Sequence, residues 1–154
     1  MLIQEMGDAM HRQLKGKSVL ITGGSGVLGS EIARALAKQE MTIFILNRNS
    51  EKGRELVKEI NDSGGRAYQI IADVLNVESL EKAKKAILKH VEHLDILINA
   101  AGGNHPDAIT EDEYFDIDKP ENSFLGLTEN GIDKVFDLNF KGTLLPIQKF
   151  LPLL

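Results

Sequence analysis

Four short, mainly apolar runs alternate with segments in which apolar residues recur every three or four positions. The runs cover residues 18–22, 42–46, 67–72 and 95–99. Continuous apolar runs of this length are typical of strands that are covered on both faces. The segments between them have the period of amphipathic helices. Because strands that alternate with helices form βαβ units, we predict an α/β fold: a doubly wound parallel sheet with strand order 3-2-1-4.

Three helices are predicted between the strands, and capping residues mark the start of the second and the third. The first helix is expected over residues 27–39. Asn49 or Ser50 is expected to cap the second helix, which stops near Gly64. Asn76 is expected to cap the third.

Beyond the fourth run the pattern changes. Residues 104–130 are polar, acidic and without period, which predicts a long loop beside the site. Thr128 is a candidate cap for a last helix that begins near Gly131, and Pro146 is expected to kink or interrupt that helix. Residues 1–16 are interpreted as a leader, and residues 17–154 as the folded domain.

Composition limits the functions available to the chain. It has 154 residues, 42% hydrophobic and 27% charged, with a net charge of −5 and no cysteine. One domain with a real core is expected. The charge gives no case for nucleic acid binding, and no apolar run is long enough to cross a membrane. Without a secretory signal, a cytoplasmic protein is the default. No metal site is predicted, because His90 and His93 lack a third ligand.

A glycine-rich segment, residues 22–29, lies between the first strand and the first helix. Glycine lets the backbone turn sharply and lets a phosphate approach without meeting a Cβ atom. The following helix then directs its free N–H groups at that phosphate. Two patterns fit the segment: the dinucleotide fingerprint Gly24-x-Gly26-x-x-Gly29, and a threonine–glycine loop, Thr22-Gly23-x-x-x-Val27-Leu28-Gly29. The alternative is a tight turn without a ligand.

The end of the second strand is where the two nicotinamide cofactors are distinguished. An acidic side chain there accepts the ribose hydroxyls of NAD, whereas an arginine pairs with the 2′-phosphate of NADP. The sequence has Asn47 and Arg48 at this point. We therefore predict NADP(H) over NAD(H), with an idle surface arginine as the alternative.

Two further segments follow strand ends. Asp73 and Val74 come after the third strand, where Asp73 either accepts the adenine amino group or caps a turn. Residues 99–102, Asn-Ala-Ala-Gly, come after the fourth strand. Their small side chains let the backbone lie against a cofactor ribose, and the Asn99 amide is able to tie neighbouring strands together.

The glycine loop, Asp73 and the Asn-Ala-Ala-Gly segment, at this spacing, resemble the short-chain dehydrogenase/reductase family. Val27 departs from that family, which usually has glycine there. Residues 101–106 and 136–146 are similar to the branch of D-mannonate oxidoreductases, or fructuronate reductases. The resemblance implies a hydride transfer between NAD(P)H and a sugar-acid ketone or alcohol. It also implies that Asn139 is the catalytic asparagine, which helps hold a water molecule for proton relay; a helix-interior asparagine bonded to backbone is the alternative.

The rest of that family's catalytic machinery is missing. The family uses a serine, and a tyrosine whose pKa is lowered by a lysine four residues further on. Four residues after Tyr68 stands Ala72, and four residues after Tyr114 stands Asp118. The resemblance therefore covers only the N-terminal part of a typical member, and the chain is expected to be inactive alone.

Three functions stay open. The first is the cofactor-binding part of such an enzyme, with a small-molecule substrate in the complete protein. The others are a non-catalytic nucleotide sensor and an assembly piece with an empty pocket. A homo-oligomer is expected, because the fourth strand has an apolar edge and the last helix has apolar residues on several faces. The residues predicted to bind the cofactor are Gly23, Ser25, Gly26, Val27, Leu28, Gly29, Asn47, Arg48, Asp73, Val74, Asn99, Ala100, Ala101 and Gly102.

Overall fold

The computed structural model describes residues 11–154, in which four parallel strands form one sheet of order β3-β2-β1-β4. The predicted α/β fold and strand order are confirmed, and each strand ends within one residue of its predicted bounds. β3 and β4 are the edge strands of this sheet. The strands are β1 (Ser18–Thr22), β2 (Thr42–Asn47), β3 (Arg66–Ile71) and β4 (Ile96–Asn99).

Five α-helices lie between residues 27 and 150. Asn49 caps α2 by accepting bonds from two backbone N–H groups, and Asn76 caps α3 through Ser79 N–H, as predicted. The first helix ends two residues earlier than predicted, and the chain then turns through Glu40 at a φ of 60°. The helices are α1 (Val27–Ala37), α2 (Ser50–Asp62), α3 (Val77–Ile87), α4 (Glu129–Phe136) and α5 (Gly142–Phe150).

The central strand β1 contributes to two separate cores. Successive side chains of a strand point to opposite faces, so Val19 and Ile21 pack with α1 and α2 while Leu20 packs with α3 and α5. All three side chains are fully buried. The covering of both faces explains why β1 and β2 have no regular polar positions.

The C-terminal helical segment differs from its prediction. Thr128 caps α4, as expected, by accepting a bond from Gly131 N–H at 3.0 Å. Pro146, however, does not interrupt a helix; it lies buried inside α5. The irregular part is instead a π-helical segment, Asp137–Lys141, which directly precedes α5. Pro146 has no N–H group, so it cannot donate to the carbonyl of Gly142, the first residue after that segment.

The predicted loop over residues 104–130 is not structureless. It contains three short 3₁₀ turns, Pro106–Ala108, Pro120–Asn122 and Phe124–Gly126. Its two ends are joined at the base, where Thr128 N–H donates to the carbonyl of Asp107 at 2.9 Å. The two ends of the loop therefore lie side by side where it joins the rest of the domain.

The leader predicted over residues 1–16 falls largely on residues 1–10, which lie outside the described residues. Residues 11–14 form a helical turn. Across residues 11–154, no helix combines the length and the apolarity that a membrane crossing requires.

Candidate cofactor-binding site

The glycine-rich loop is closely packed between β1, α1 and the segment after β4. Gly23 has a φ of 63°, and a Cβ atom there would lie 2.7 Å from the carbonyl oxygen of Ala100. A Cβ atom on Gly29 would lie 2.5 Å from the carbonyl oxygen of Gly23. Contacts below 3.0 Å leave no room for a side chain, so both positions require glycine in this conformation. Gly29 thus acts through helix–loop packing rather than by facing a ligand.

The N-terminus of α1 is open. Its N-cap is Gly26, which supplies no side-chain cap, and its first turn contains no acidic residue. The first N–H groups of this helix therefore have no side-chain acceptor and carry the positive end of the helix dipole. Val27 and Leu28, at the start of α1, are 86% and 76% exposed. Neither residue lines the cavity at the strand ends that is described below. The cofactor contacts predicted for them therefore depend on their backbone N–H groups alone.

A cavity of about 270 Å³ lies at the carboxyl ends of the strands. In open α/β sheets this crevice is the usual ligand site. It brings together nine of the predicted residues, from the ends of all four described strands. Its lining comprises Gly23, Ser25, Gly26, Leu46, Asn47, Arg48, Asn49, Ala72, Val74, Ala100, Ala101, Gly102 and Leu138.

Asp73 and Asn99 were also predicted to bind the cofactor, but they do not line this cavity. The Asp73 carboxylate accepts a bond from Leu75 N–H at 2.9 Å, so the turn-capping alternative describes its contact here. Asn99 ends β4, and its Oδ1 is buried without a hydrogen-bond partner among the described residues. This oxygen therefore supports neither role predicted for the amide, strand tying or ribose binding.

The turn after β2 presents one cation to the cavity. Arg48 is exposed and forms no ion pair within residues 11–154. Its neighbour Asn49 accepts bonds from Glu51 N–H and Lys52 N–H with its side chain. Arg48 is therefore the residue of this turn that is available to a bound anion.

Asn139 lies in the π-helical segment and joins it to the backbone that follows β4. Its Oδ1 accepts from Gly103 N–H at 3.1 Å, and its Nδ2 donates to the carbonyls of Gly103 at 2.7 Å and of Val135 at 2.9 Å. Its own carbonyl accepts from the Thr143 hydroxyl at 3.0 Å. The side chain is thus engaged with backbone, which is the alternative to a catalytic role. Leu138, beside it, lines the cavity and was missed, because no sequence signal separates it from other helix leucines.

Both tyrosines lie away from the cavity. Tyr68 stacks between Phe44 and His90, with ring centroids 5.5 and 3.9 Å away. Tyr114 is 80% exposed on the long loop. Neither is placed to exchange a proton with a ligand in the crevice. Within residues 11–154 no group of three or more histidine or acidic side chains is arranged to hold a metal ion.

The crevice at the strand ends, the glycine loop and the open helix terminus are features of a dinucleotide-binding α/β protein. The family model of the short chain dehydrogenases matches residues 17–154. The chain belongs to that family, and the resemblance of its motifs is confirmed.

Two relatives are similar to this chain over nearly all of its length. The chain is 50% identical over 141 residues to the uncharacterized oxidoreductase UxuB of Bacillus subtilis strain 168, covering 92% of this chain and 51% of that protein. A crystal structure from Haemophilus influenza, assigned provisionally as a D-mannonate oxidoreductase and solved with bound NAD, is 40% identical. It aligns with a TM-score of 0.85 over 90% of this chain and 50% of its own.

A more distant structure has the same fold. The 3-ketoacyl-ACP reductase of Sinorhizobium meliloti 1021 is 27% identical, with a TM-score of 0.72 over 88% of this chain and 48% of its own. The chain thus spans about half the length of the relatives that it matches.

Proposed function

We propose that this chain binds the adenosine and pyrophosphate part of a nicotinamide dinucleotide in the crevice at the strand ends. The observation that carries the proposal is the open N-terminus of α1, which meets a cavity lined by the ends of all four described strands. The pyrophosphate would lie against the start of α1, whose first backbone N–H groups have no side-chain cap. Within the loop itself, Gly24 N–H and Gly26 N–H already donate to the carbonyls of Leu46 and Gly23. The adenine would lie between Arg48 and Val74. Similarity to the Haemophilus structure with bound NAD supports this arrangement.

The proposed preference is for NADP(H), because Arg48 is an unpaired cation and no acidic side chain lies in the turn after β2. The NAD in the Haemophilus structure belongs to that protein and favours the opposite preference. One charge-assisted contact to the 2′-phosphate would contribute about 1–2 kcal/mol. Thermal-shift titration with NADP and NAD compares the two. Equal or reversed stabilisation would contradict the preference, and Arg48→Ala is expected to remove it.

The complete enzyme would transfer hydride between the nicotinamide and a sugar-acid ketone or alcohol, a small-molecule substrate of the mannonate and fructuronate type. Support comes from the family and from the provisional assignment of the Haemophilus protein. In that enzyme Asn139 would hold the backbone near the reacting groups, and its carbonyl would be a candidate to bind a relay water. A cytoplasmic location is expected.

This chain alone is proposed to be inactive, because its tyrosines have no lysine four residues on and lie outside the crevice. Purified protein is expected to give no NAD(P)H oxidation with fructuronate and no NAD(P) reduction with mannonate. Turnover by a homogeneous sample would refute the proposal.

Gly29→Val tests the site itself. The added side chain would meet the Gly23 carbonyl, so nucleotide binding is expected to be lost. Glu31→Val places the same side chain on the exposed face of α1 and serves as the matched control. Wild-type affinity in Gly29→Val, measured by calorimetry, would show that the nucleotide binds elsewhere.

Two other functions make different predictions. A nucleotide sensor would keep nucleotide affinity in a protein whose gene encodes no catalytic tyrosine–lysine pair. An assembly piece with an empty pocket would have no affinity for any dinucleotide. The open helix terminus favours a nucleotide-binding function over the empty pocket.

A further inference from the structure

A buried amide lies beside the only unpaired cation of the turn after β2. Asn47 is the last residue of β2 and is 6% exposed. Its Nδ2 donates to the backbone carbonyl of Asn49, across the residue that separates them, Arg48. Its Oδ1 has no hydrogen-bond partner among the described residues. An unpaired buried oxygen lowers stability, so an amide is unexpected at this position unless its Nδ2 group has a role.

The Asn47 side chain is directed beneath α2. A Cβ atom placed on Gly53, in the first turns of α2, would lie 2.5 Å from Asn47 Oδ1 and 2.5 Å from Gln69 Nε2. The helix covers the amide closely only because residue 53 is glycine. The amide of Asn47 therefore packs against α2, although the residue itself borders the cavity.

The Asn49 side chain is also committed, since it caps α2 through Glu51 N–H and Lys52 N–H. Of the three consecutive residues of the turn, two use their side chains to fix its backbone. All three residues line the cavity, but Arg48 is the one whose side chain is not committed to the backbone of the turn. The turn is thus rigid on both sides of one exposed cation.

We propose that Asn47 is a positioning residue for cofactor recognition: its amide fixes the turn so that Arg48 faces the 2′-substituent of the adenosine ribose. Asn47 itself makes no contact with the cofactor. The inference rests on the proposed nucleotide-binding function and names the group that determines how this site distinguishes its ligands.

A double-mutant cycle measures whether the two residues act together. The ligands are 5′-AMP and 2′,5′-ADP, which differ only in the 2′-phosphate, and the quantity is the ratio of their dissociation constants. Arg48→Ala is expected to change this ratio about tenfold in the wild-type background. In an Asn47→Val background the same substitution is expected to change it less than about twofold. Valine suits a strand end and removes the unpaired oxygen, so the fold is expected to persist.

Asn61 provides the matched control. It lies near the other end of α2, and both atoms of its amide pair with the Ala67 backbone, at 2.8 and 3.1 Å. Asn61→Ala is expected to lower stability yet leave the full effect of Arg48→Ala. Should Asn47→Val fail to fold, Asn47→Ala measures the same cycle.

The outcomes are distinct. An Arg48→Ala effect that is equally large in both backgrounds would overturn the positioning role, while 5′-AMP binding would still support the proposed function. An Arg48→Ala variant with an unchanged ratio would overturn it too, because Arg48 would not contact the 2′-phosphate. If folded wild-type protein binds neither ligand, the proposed function fails and the inference fails with it.

Discussion

At the scale of single residues, the Asn139 side chain joins the C-terminal helical segment to the backbone beside the crevice. Asn139→Ala removes both bonds to the Gly103 backbone. The neighbouring segment, Ala100–Gly102, lines the cavity, so its looser anchoring is expected to weaken nucleotide binding about fivefold to tenfold. Calorimetric titration with the dinucleotide measures the effect.

Asn122→Ala is the control for this prediction. The Asn122 amide bonds the Asp112 carboxylate at 3.1 Å, within the long loop and away from the crevice. Its replacement is expected to leave nucleotide affinity unchanged. Equal affinities for all three proteins would mean that Asn139 does not anchor the binding segment.

The sequence predicted which residues border the crevice, but it did not predict where their side chains point. Gly23, Gly26, Arg48 and Ala100 were predicted to border one crevice, and they line it, whereas Gly29 does not. The direction of Asn47 depends on α2 and Gly53, which come later in the chain. Asp73 was undecided between a ligand and a turn, because both use the same carboxylate. Such choices are made by packing between elements, which a local pattern does not encode.

Asp95 joins two elements, the beginnings of β4 and β1. Its carboxylate accepts from Lys17 Nζ at 2.7 Å and from Ser18 N–H at 2.8 Å. Burial raises the pKa of Asp95, but the bonds from Lys17 and Ser18 outweigh it and hold the pKa below its ordinary value of 3.8. His93 Nε2 lies 3.8 Å from the same carboxylate.

A lowered folded-state pKa stabilises the protein above the unfolded-state pKa, and this contribution is lost as the pH falls through the folded-state value. Asp95→Asn is therefore expected to reduce the free energy of unfolding by roughly 1–3 kcal/mol at neutral pH. The difference from wild type should shrink below about pH 4. Urea unfolding at several pH values measures both quantities.

Glu40→Gln is the comparison for Asp95→Asn. Glu40 also has a lowered pKa, chiefly through its bond with Lys15, but this pair is exposed. Its replacement is expected to have little effect, since exposed pairs contribute little. A difference between Asp95→Asn and wild type that stays constant down to pH 3 would contradict the role given to Asp95.

Elements with a regular period were predictable, whereas irregular ones were not. The strands and the caps at Asn49, Asn76 and Thr128 follow from local chemistry. The π-helical segment Asp137–Lys141 carries no such signal, and its side-chain contact is with Gly103, distant in the sequence. The long loop is likewise closed by a backbone bond between Asp107 and Thr128. Composition alone indicated only that this region is polar.

At the scale of the whole molecule, the main feature is a stripe of exposed apolar side chains along the C-terminal segment. Its members recur every three or four residues over roughly 33 Å of helix. Apolar surface of this extent usually marks an interface. β4 also has an unpaired edge within the described sheet. The stripe consists of Ile132, Phe136, Phe140, Leu144, Ile147, Leu151 and Leu154.

We expect the chain to self-associate through this stripe, with two-fold symmetry as the commonest closed arrangement. Leu144→Asp is expected to shift the assembly towards monomer in sedimentation velocity across a dilution series. Ile117→Asp changes an equally apolar residue, 80% exposed on the long loop, and should leave the assembly unchanged. A wild-type chain that stays monomeric at high concentration would contradict this prediction.

Binding of the dinucleotide at the strand ends is the central claim, and amide chemical-shift mapping on the ¹⁵N-labelled chain tests it most directly. On titration with NADP or NAD, the account predicts shifts at Gly23, Gly26, Arg48, Val74 and Ala101. Another hollow, of about 370 Å³, lies at the opposite ends of α1 and α2 and is lined by Arg34, Glu59 and Gly65. The chemical shifts of the amides that line this hollow are expected to stay unchanged. Shifts confined to that hollow, or no shifts with either nucleotide in a folded sample, would contradict the account.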